Sequence, residues 1–401
     1  MKEVLVIGGG PAGIFAALNA SDDLIHVTVI DKNKEPLKKL LLTGNGKCNF
    51  WNQDQNLSHF HSDSKELLSS IFQKKHVEDV YEQILKMGIV PLNKDGYFYP
   101  YSMQSFTVKH AFLEEVKRKN IDFLLETEVL SIAKKNSKFE VVTSNGIYLA
   151  DAVVLSTGSR AYPKTGSDGK GYALASSLGH QMIPVNPSLV SLEMDESYLG
   201  SWAGVRSHVK VSYQGKMEEG EIQLTKNGIS GICVFNISRE VAIDLSSGEK
   251  PIVLINFFPF TNSVGRFLDE QNKKVKNRNI GTLLEAIINY KLVDVILKQC
   301  GISRDCYYDH LSEKLKNRLI EMLSSFPCKI VSTAGFESGQ VCSGGVTLKE
   351  LNIESLESTI VNGLFFAGEI LDIDGDCGGY NLETAFISGM MAGKGVRQFL
   401  K

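Results

Sequence analysis

The sequence of 401 residues has no Cys-x-x-Cys pair: its seven cysteines are scattered, and the closest two are Cys300 and Cys306. An odd, dispersed set excludes a disulfide framework and a cysteine-based zinc site, so no metal is expected and reduced thiols in a cytoplasm fit best. No apolar run approaches the roughly 20 residues that cross a bilayer, so no membrane partner is expected. Lys2 ahead of the apolar stretch 4–20 imitates a signal peptide, but three consecutive glycines and Pro11 break the would-be helix. Positive charge is not in surplus. Lys and Arg number 43 against 46 Asp and Glu, a net charge of −3, which offers little to a nucleic-acid partner that relies on phosphate neutralisation. The basic runs at 117–119 and 273–276 read as solvated helix faces. What is present is an ordinary globular composition, 43% hydrophobic and 22% charged, long enough for two or three domains at about 150 residues each.

Residues 3–7 (Glu-Val-Leu-Val-Ile) read as a strand buried on both faces. Gly8-Gly9-Gly10-Pro11-Ala12-Gly13 follows, then a helix start at 14–18, a second strand at 27–30 and Asp31 at its end. Gly8, Gly10 and Gly13 fit G-x-G-x-x-G between strand and helix. The first permits the tight turn, the second admits a pyrophosphate against the backbone, and the third lets the helix approach the sheet. Amides at the helix start carry partial positive charge toward phosphates. Asp31 is suited to accept hydrogen bonds from a ribose, with Lys32 beside it.

The continuation separates a flavin dinucleotide from a nicotinamide one. A polar, glycine-rich loop, Thr43-Gly44-Asn45-Gly46-Lys47-Cys48-Asn49, comes soon after the second strand. Strand-like stretches 139–143 and 146–150 flank Asn145-Gly146, a dipeptide that predicts a type I′ hairpin turn. A return strand at 152–156 ends in Thr157-Gly158. Near the C-terminus, Ala367-Gly368-Glu369 places an acid where a ribitol could be held. Gly378-Gly379-Tyr380-Asn381 then opens an Ala- and Gly-rich helix whose N-terminus could stabilise charge developing on a flavin.

With these segments, and with Gly96-Tyr97-Phe98-Tyr99-Pro100, Gly228-Ile229-Ser230-Gly231 and Gly344-Gly345-Val346, the chain resembles a bacterial flavoprotein family. It is the family that includes aminoacetone oxidase and the 3-dehydro-bile-acid Δ(4,6)-reductase. The resemblance implies an α/β fold: a Rossmann-like FAD-binding domain, parallel sheet plus β-meander, interrupted by an inserted β-barrel-like domain and a helical segment. The expected division is 1–187 with 330–401 for the FAD-binding domain, 188–260 for the inserted β domain and 261–329 for the helical part. It also implies a cofactor-binding set of Gly8, Gly10, Pro11, Ala12, Gly13, Asp31, Lys32, Gly44, Gly46, Lys47, Cys48, Asn49, Val129, Thr157, Gly158, Gly368, Glu369, Gly379, Tyr380 and Asn381. Two residues depart from the family pattern, Lys226 and Cys342, so no relative's substrate transfers directly.

A flavin carries the hydride itself, so no acid–base constellation is required and none stands out. The eight histidines, His26, His59, His61 and His76 among them, lie outside every matched motif and read as surface or core residues. Lys47 and Tyr380 are the candidate catalytic side chains. The glycines at 166–171 fall in the wrong order for a nicotinamide fingerprint, so NADH or NADPH would visit as a transient donor. The expected function is an FAD-dependent oxidoreductase passing hydride between flavin and a small organic substrate, as an NAD(P)H-dependent reductase of an enone-like or steroid-type compound. The alternatives are an amine oxidase using oxygen, a non-catalytic flavin-binding redox module, and a flavoenzyme acting on nucleic acid. Oligomeric state stays open.

Overall fold

Strand β1, Lys2–Ile7, is buried from Val4 onward because both its edges and both its faces are covered. It pairs in parallel with β2, Ile25–Ile30, on one edge and with Ala152–Leu155 on the other, Val4 standing opposite both Val27 and Ala152. The computed structural model describes residues 1–275 and 277–401; Lys276, last of the basic run at 273–276, lies outside them. The full sheet has seven strands, in the order Leu351–Asn352, Glu357–Ser358, Leu364–Phe366, Ala152–Leu155, β1, β2, Asp122–Leu124. Its five central and distal strands run parallel, which explains the β-branched runs without alternation.

Helix α1, Pro11–Ala20, starts on a proline, whose fixed φ and missing N–H suit the first helical position. The C-terminal helix, Tyr380–Leu400, packs on it through glycine. A Cβ at Gly389 would stand 2.3 Å from Ala12 O, and one at Gly393 2.4 Å from Ala16 O. Glycine costs a helix interior about 1 kcal/mol against alanine; here it permits backbone contact between the two ends of the chain. Phe15 fills the space beside it, its ring 4.7 Å from Phe386 and 5.3 Å from Phe112.

The meander comprises Val129–Lys135, Lys138–Thr143 and Gly146–Ala150. Its hairpin turn falls one residue earlier than expected. Thr143 pairs with Gly146, so Ser144 and Asn145 form the loop, and Asn145 has no positive φ. Side chains outcompete the type I′ preference: Asn145 N–H donates to Thr143 Oγ1 at 3.1 Å, and its Nδ2 donates to Thr127 Oγ1 at 2.8 Å. Lys119 also departs from the solvated reading of its run. It is half-buried and donates to Leu18 O at 2.8 Å, near the end of α1.

The chain divides into two compact units, Met1–Asn186 with Gln340–Lys401, and Pro187–Gly339. The second is a closed barrel in the strand order Leu192–Met194, Gly228–Ser230, Lys216–Leu224, Arg206–Tyr213, Ile252–Asn256, Phe326–Thr333, accompanied by helices such as Ile232–Ser246 and Tyr290–Cys300. Its own core includes Trp202, Phe257 and Phe326. The fold class is the one expected: α/β, with a parallel sheet and meander, an interposed barrel and helices. No helix among the described residues is long and apolar enough to cross a membrane.

Candidate functional site

The three motif glycines occupy three different physical situations. Gly8 has φ +108°, and a Cβ there would lie 2.3 Å from Ser156 O, in the next strand's exit. A Cβ at Gly13 would lie 1.9 Å from Gly8 O and 2.6 Å from Ser156 Oγ, so this glycine sets how closely α1 meets the turn. Around Gly10, by contrast, no protein atom comes within 4 Å of a Cβ position. The backbone is open there, at the N-terminus of a helix that no side chain caps.

Asp31 anchors this turn. Its Oδ2 accepts from Gly9 N–H at 2.7 Å, while Oδ1 accepts from Asn33 N–H and Nδ2 at 2.8 and 2.9 Å. A carboxylate has about four acceptor sites, so capacity for a ribose hydroxyl persists beside the structural bonds. Lys32 is paired instead with Asp168, 2.7 Å away. That pair helps hold the carboxyl of Asp168 below its usual range despite partial burial. Val129, half-buried at the start of the meander, follows Thr127, whose N–H donates to Asp31 O.

The C-terminal motif comes to the N-terminal one. A Cβ at Gly368 would stand 2.6 Å from Ala12 Cβ, and one at Gly158 2.8 Å from Ser167 Oγ and 3.8 Å from Glu369 Oε2. Glu369 pairs with Lys39 at 2.7 Å, a contact bridging 330 residues of sequence. The glycines at 166–171 belong to the same framework as packing elements. Gly171 faces Thr157 so closely that a Cβ would lie 1.8 Å from its Oγ1.

The loop of Leu40–Gly46 and its continuation is left-handed at Gly44, Asn45, Gly46 and Cys48, with φ of +56°, +53°, +81° and +58°. Such turns present successive backbone N–H groups to one side, a form that suits anions. Asn49 follows, its Oδ1 buried without a hydrogen-bond partner among the described residues. Lys47 is exposed and its ammonium has no hydrogen bond or ion pair there, so the structure does not join it to the other side chains. At the C-terminal helix, Gly379 has φ +103°, a Cβ would stand 2.8 Å from the backbone of Trp51, and no side chain caps the helix start. Asn381 clamps the approach to it, accepting from Gly375 N–H at 2.9 Å and donating to Gly375 O at 2.8 Å.

Tyr380 is buried, and burial pushes its phenol well above its ordinary value. Its ring stacks on His59, with centroids 4.6 Å apart and planes inclined at 14°. His59 and the neighbouring His61 were not marked by any motif, yet both reach Asp376, at 3.1 and 3.0 Å. Asp376 lies 317 residues after His59, and no sequence spacing could have joined them. Glu383 was also missed. It is fully buried in the first turn of the C-terminal helix, accepts from Gln55 Nε2 at 3.1 Å through one oxygen and leaves Oε1 without a partner. Burial pushes its carboxyl up to about 8, only partly offset by Gln55.

Burial disfavours the reactive thiolate at Cys48, Cys342 and Cys377. Burial pushes Cys48 up to about 12, Cys342 to about 11 and Cys377 to about 11. All seven cysteines are free. Among the described residues no cluster of His, Cys, Asp or Glu could hold a metal ion.

A flavin dinucleotide suits these residues on three counts. Among the described residues, the backbone is open at Gly10, two helix starts of opposite chain ends have no side-chain cap, and buried oxygens of Asn49 and Thr157 have no partner.

Comparison with known proteins shows the family. The family described as HI0933-like protein Rossmann domain matches residues 2–395. A curated relative, the 3-dehydro-bile acid delta(4,6)-reductase of Clostridium scindens, is 33% identical over 403 residues, covering 98% of each chain. The ribosomal RNA dihydrouridine synthase of Escherichia coli is 28% identical, covering 96% of each. Among solved structures, the 3-ketosteroid delta1-dehydrogenase of Sterolibacterium denitrificans superposes with a TM-score of 0.53 at 10% identity, covering 99% of this chain and all of that one, a likeness of fold alone.

Proposed function

Because the chain belongs to the HI0933-like Rossmann family and is an FAD-dependent oxidoreductase, we propose that it is a reductase that saturates a carbon–carbon double bond conjugated to a carbonyl. The observation that carries the cofactor assignment is the meeting of Ala12 with Gly368 beside the open backbone of Gly10. Bound FAD supplies the hydride chemistry. The N-terminus of α1 and Gly10 would hold the pyrophosphate, Asp31 a ribose, and the loop at 44–49 with Thr157 and Glu369 the middle of the molecule. The start of the C-terminal helix would face the flavin and favour negative charge developing there.

The direction of reaction is supported by names. One relative is called a delta(4,6)-reductase and another a dihydrouridine synthase, and both names denote saturation of a double bond. This favours a reductase over an amine oxidase or a turnover-free redox module. It also gives the nucleic-acid reading an observation it lacked from composition. The net charge of −3 favours the small enone over RNA. Free cysteines fit a cytoplasmic setting.

The experiment is anaerobic mixing of the purified flavoprotein with NADH or NADPH. The flavin should bleach, then recolour on addition of a steroid enone. Recolouring by uridine-containing ribosomal RNA fragments and not by enones would move the assignment to RNA. Peroxide formed from amines in air, with no bleaching by nicotinamides, would move it to an oxidase.

A further inference from the structure

The imidazole of His59 lies between two carboxylates, its Nδ1 3.1 Å from Asp376 Oδ2 and its Nε2 3.0 Å from Asp54 Oδ2. An ionised carboxylate only accepts hydrogen bonds. A ring with a carboxylate at each nitrogen therefore holds a proton at each, one more than neutral histidine carries. The line continues inward, where Asp376 Oδ1 is 3.0 Å from His61 Nε2. Its ends differ in access to water: the side chain of Asp54 is 64% exposed and that of Asp376 9%. Asp376 directly precedes residues 377–380, and the Tyr380 ring covers His59. A hydrogen-bonded line thus runs from solvent to the buried turn in front of the C-terminal helix.

We propose that Asp54, His59 and Asp376 form a proton relay that brings the proton accompanying hydride transfer to this turn, an inference that rests on the reductase reading above. Saturating a double bond breaks the π bond and forms two C–H bonds, one from a hydride and one from a proton. The hydride, with its electron pair, is the cofactor's contribution. The proton begins on His59 Nδ1, where the N–H bond breaks as an O–H bond forms on Asp376 Oδ2, and it leaves from that carboxyl. The ring left behind is neutral and keeps its Nε2–H on Asp54, and the vacated Nδ1 regains a proton from water before the next turnover. One solvent proton is consumed per turnover and no further oxidant or reductant is needed.

The titratable groups around His59 come from every neighbouring segment. They are Asp54 on the preceding loop, His61 on the strand Phe60–His61, Asp376 and Cys377 on the turn, Tyr380 and Glu383 on the helix, and Tyr97 beyond Tyr380. Burial pulls the ring's proton affinity down, and the bonds to Asp54 and Asp376 outweigh it, so His59 is held above its ordinary value. The ring is protonated in acid and empties as pH rises through that raised value. His26 provides an internal control. It sits between Glu3 and Asp122 at 2.8 and 3.0 Å, tying strand ends together, with no bond to the site.

Stopped-flow reoxidation of the reduced holoenzyme by a steroid enone, across pH, tests the relay. His59→Gln should slow this step about tenfold or more and abolish its alkaline limb, leaving flavin content and reduction by NAD(P)H unchanged. His26→Gln should change neither. Asp54→Asn, at an exposed position that does not threaten folding, should move the alkaline limb down by up to about one pH unit. In the flavin-free protein, nitrogen NMR of labelled imidazoles should show His59 charged at neutral pH and His59 titrating above an exposed histidine. A His59→Gln enzyme with the wild-type rate and pH profile, or a neutral His59 ring at neutral pH, overturns the relay alone. A wild-type enzyme that reoxidises with no carbonyl-conjugated alkene overturns the reductase reading, and the relay falls with it.

Discussion

In the barrel unit Trp202 donates its indole N–H to Thr225 O at 3.1 Å and packs against Tyr198 and Phe326, and among the described residues Glu240 alone there buries a side-chain oxygen without a partner. In the Rossmann unit Asn49, Ser64, Thr157, Ser343 and Glu383 all do so. Buried polar atoms without partners cost about 1–3 kcal/mol each, and in native proteins each has a reason, such as a catalytic role or a bound water or ion. The first unit also carries left-handed backbone in clusters at 44–48 and 378–379, where the second, among the described residues, has an adjacent pair only in the turn at Gln214–Gly215. One unit is a finished core. The other is a framework built around something else.

The two tryptophans of the sequence report on one unit each, Trp51 on the first and Trp202 on the second, so the contrast can be broken experimentally. The largest effect is expected from Gly13→Val, whose Cβ would stand 1.9 Å from Gly8 O. Overpacking against fixed backbone should cost about 3 kcal/mol or more, lowering the unfolding midpoint seen with Trp51 and leaving that seen with Trp202 in place. Equal losses at both probes would mean that the units unfold together. Next, FAD at a hundred times its Kd should stabilise the state that binds it by about 2.7 kcal/mol. The gain should show in a Trp202→Phe protein, which reports through Trp51, and not in a Trp51→Phe protein followed through Trp202.

Asp31→Ala should weaken FAD binding by about 1.5–3 kcal/mol, the worth of a hydrogen bond to a charged group, and calorimetric titration measures it. Part of that loss is expected to be structural, since Gly9 N–H loses its acceptor. A smaller effect concerns Glu383. Its folded-state carboxyl titrates at about 8 against an ordinary 4.5, so the folded state holds a proton that the unfolded chain has released. Stability of the flavin-free first unit should therefore fall as pH rises from about 4.5 to about 8. Glu383→Gln should flatten that slope at Trp51. A slope unchanged by the substitution would put the titration elsewhere. Least in energy, the buried thiols of Cys48 and Cys342 should resist a disulfide reagent at neutral pH in the native protein, with Cys306, which is only partly buried, reacting before them.

Much of the first unit could be read from sequence because its geometry demands glycine at named places. Gly8, Gly13, Gly368 and Gly379 each meet another segment at a distance no side chain allows, and such positions leave a mark in the sequence. The parallel sheet was readable for a similar reason, since burial on both faces requires unbroken apolar runs. The hairpin turn was misjudged by one residue because Thr143 and Thr127 recruit Asn145, a side-chain competition that a dipeptide rule omits. Lys119 looked like surface charge and instead closes on a carbonyl of α1. The His59 cluster and Glu383 were invisible because their partners are brought together only by the fold, Gln55 reaching Glu383 across 328 residues. Spacing records local geometry and says nothing of such long closures.

The account stands on the first unit enclosing FAD, and native mass spectrometry of the purified chain beside a Gly10→Leu variant tests that most directly. The wild type should carry one FAD per chain. The variant, whose new side chain meets no protein atom near its Cβ, should fold with an unchanged Trp202 transition and carry none. A wild-type chain that holds no flavin when FAD is supplied in excess, or a Gly10→Leu chain with full flavin content, would contradict it.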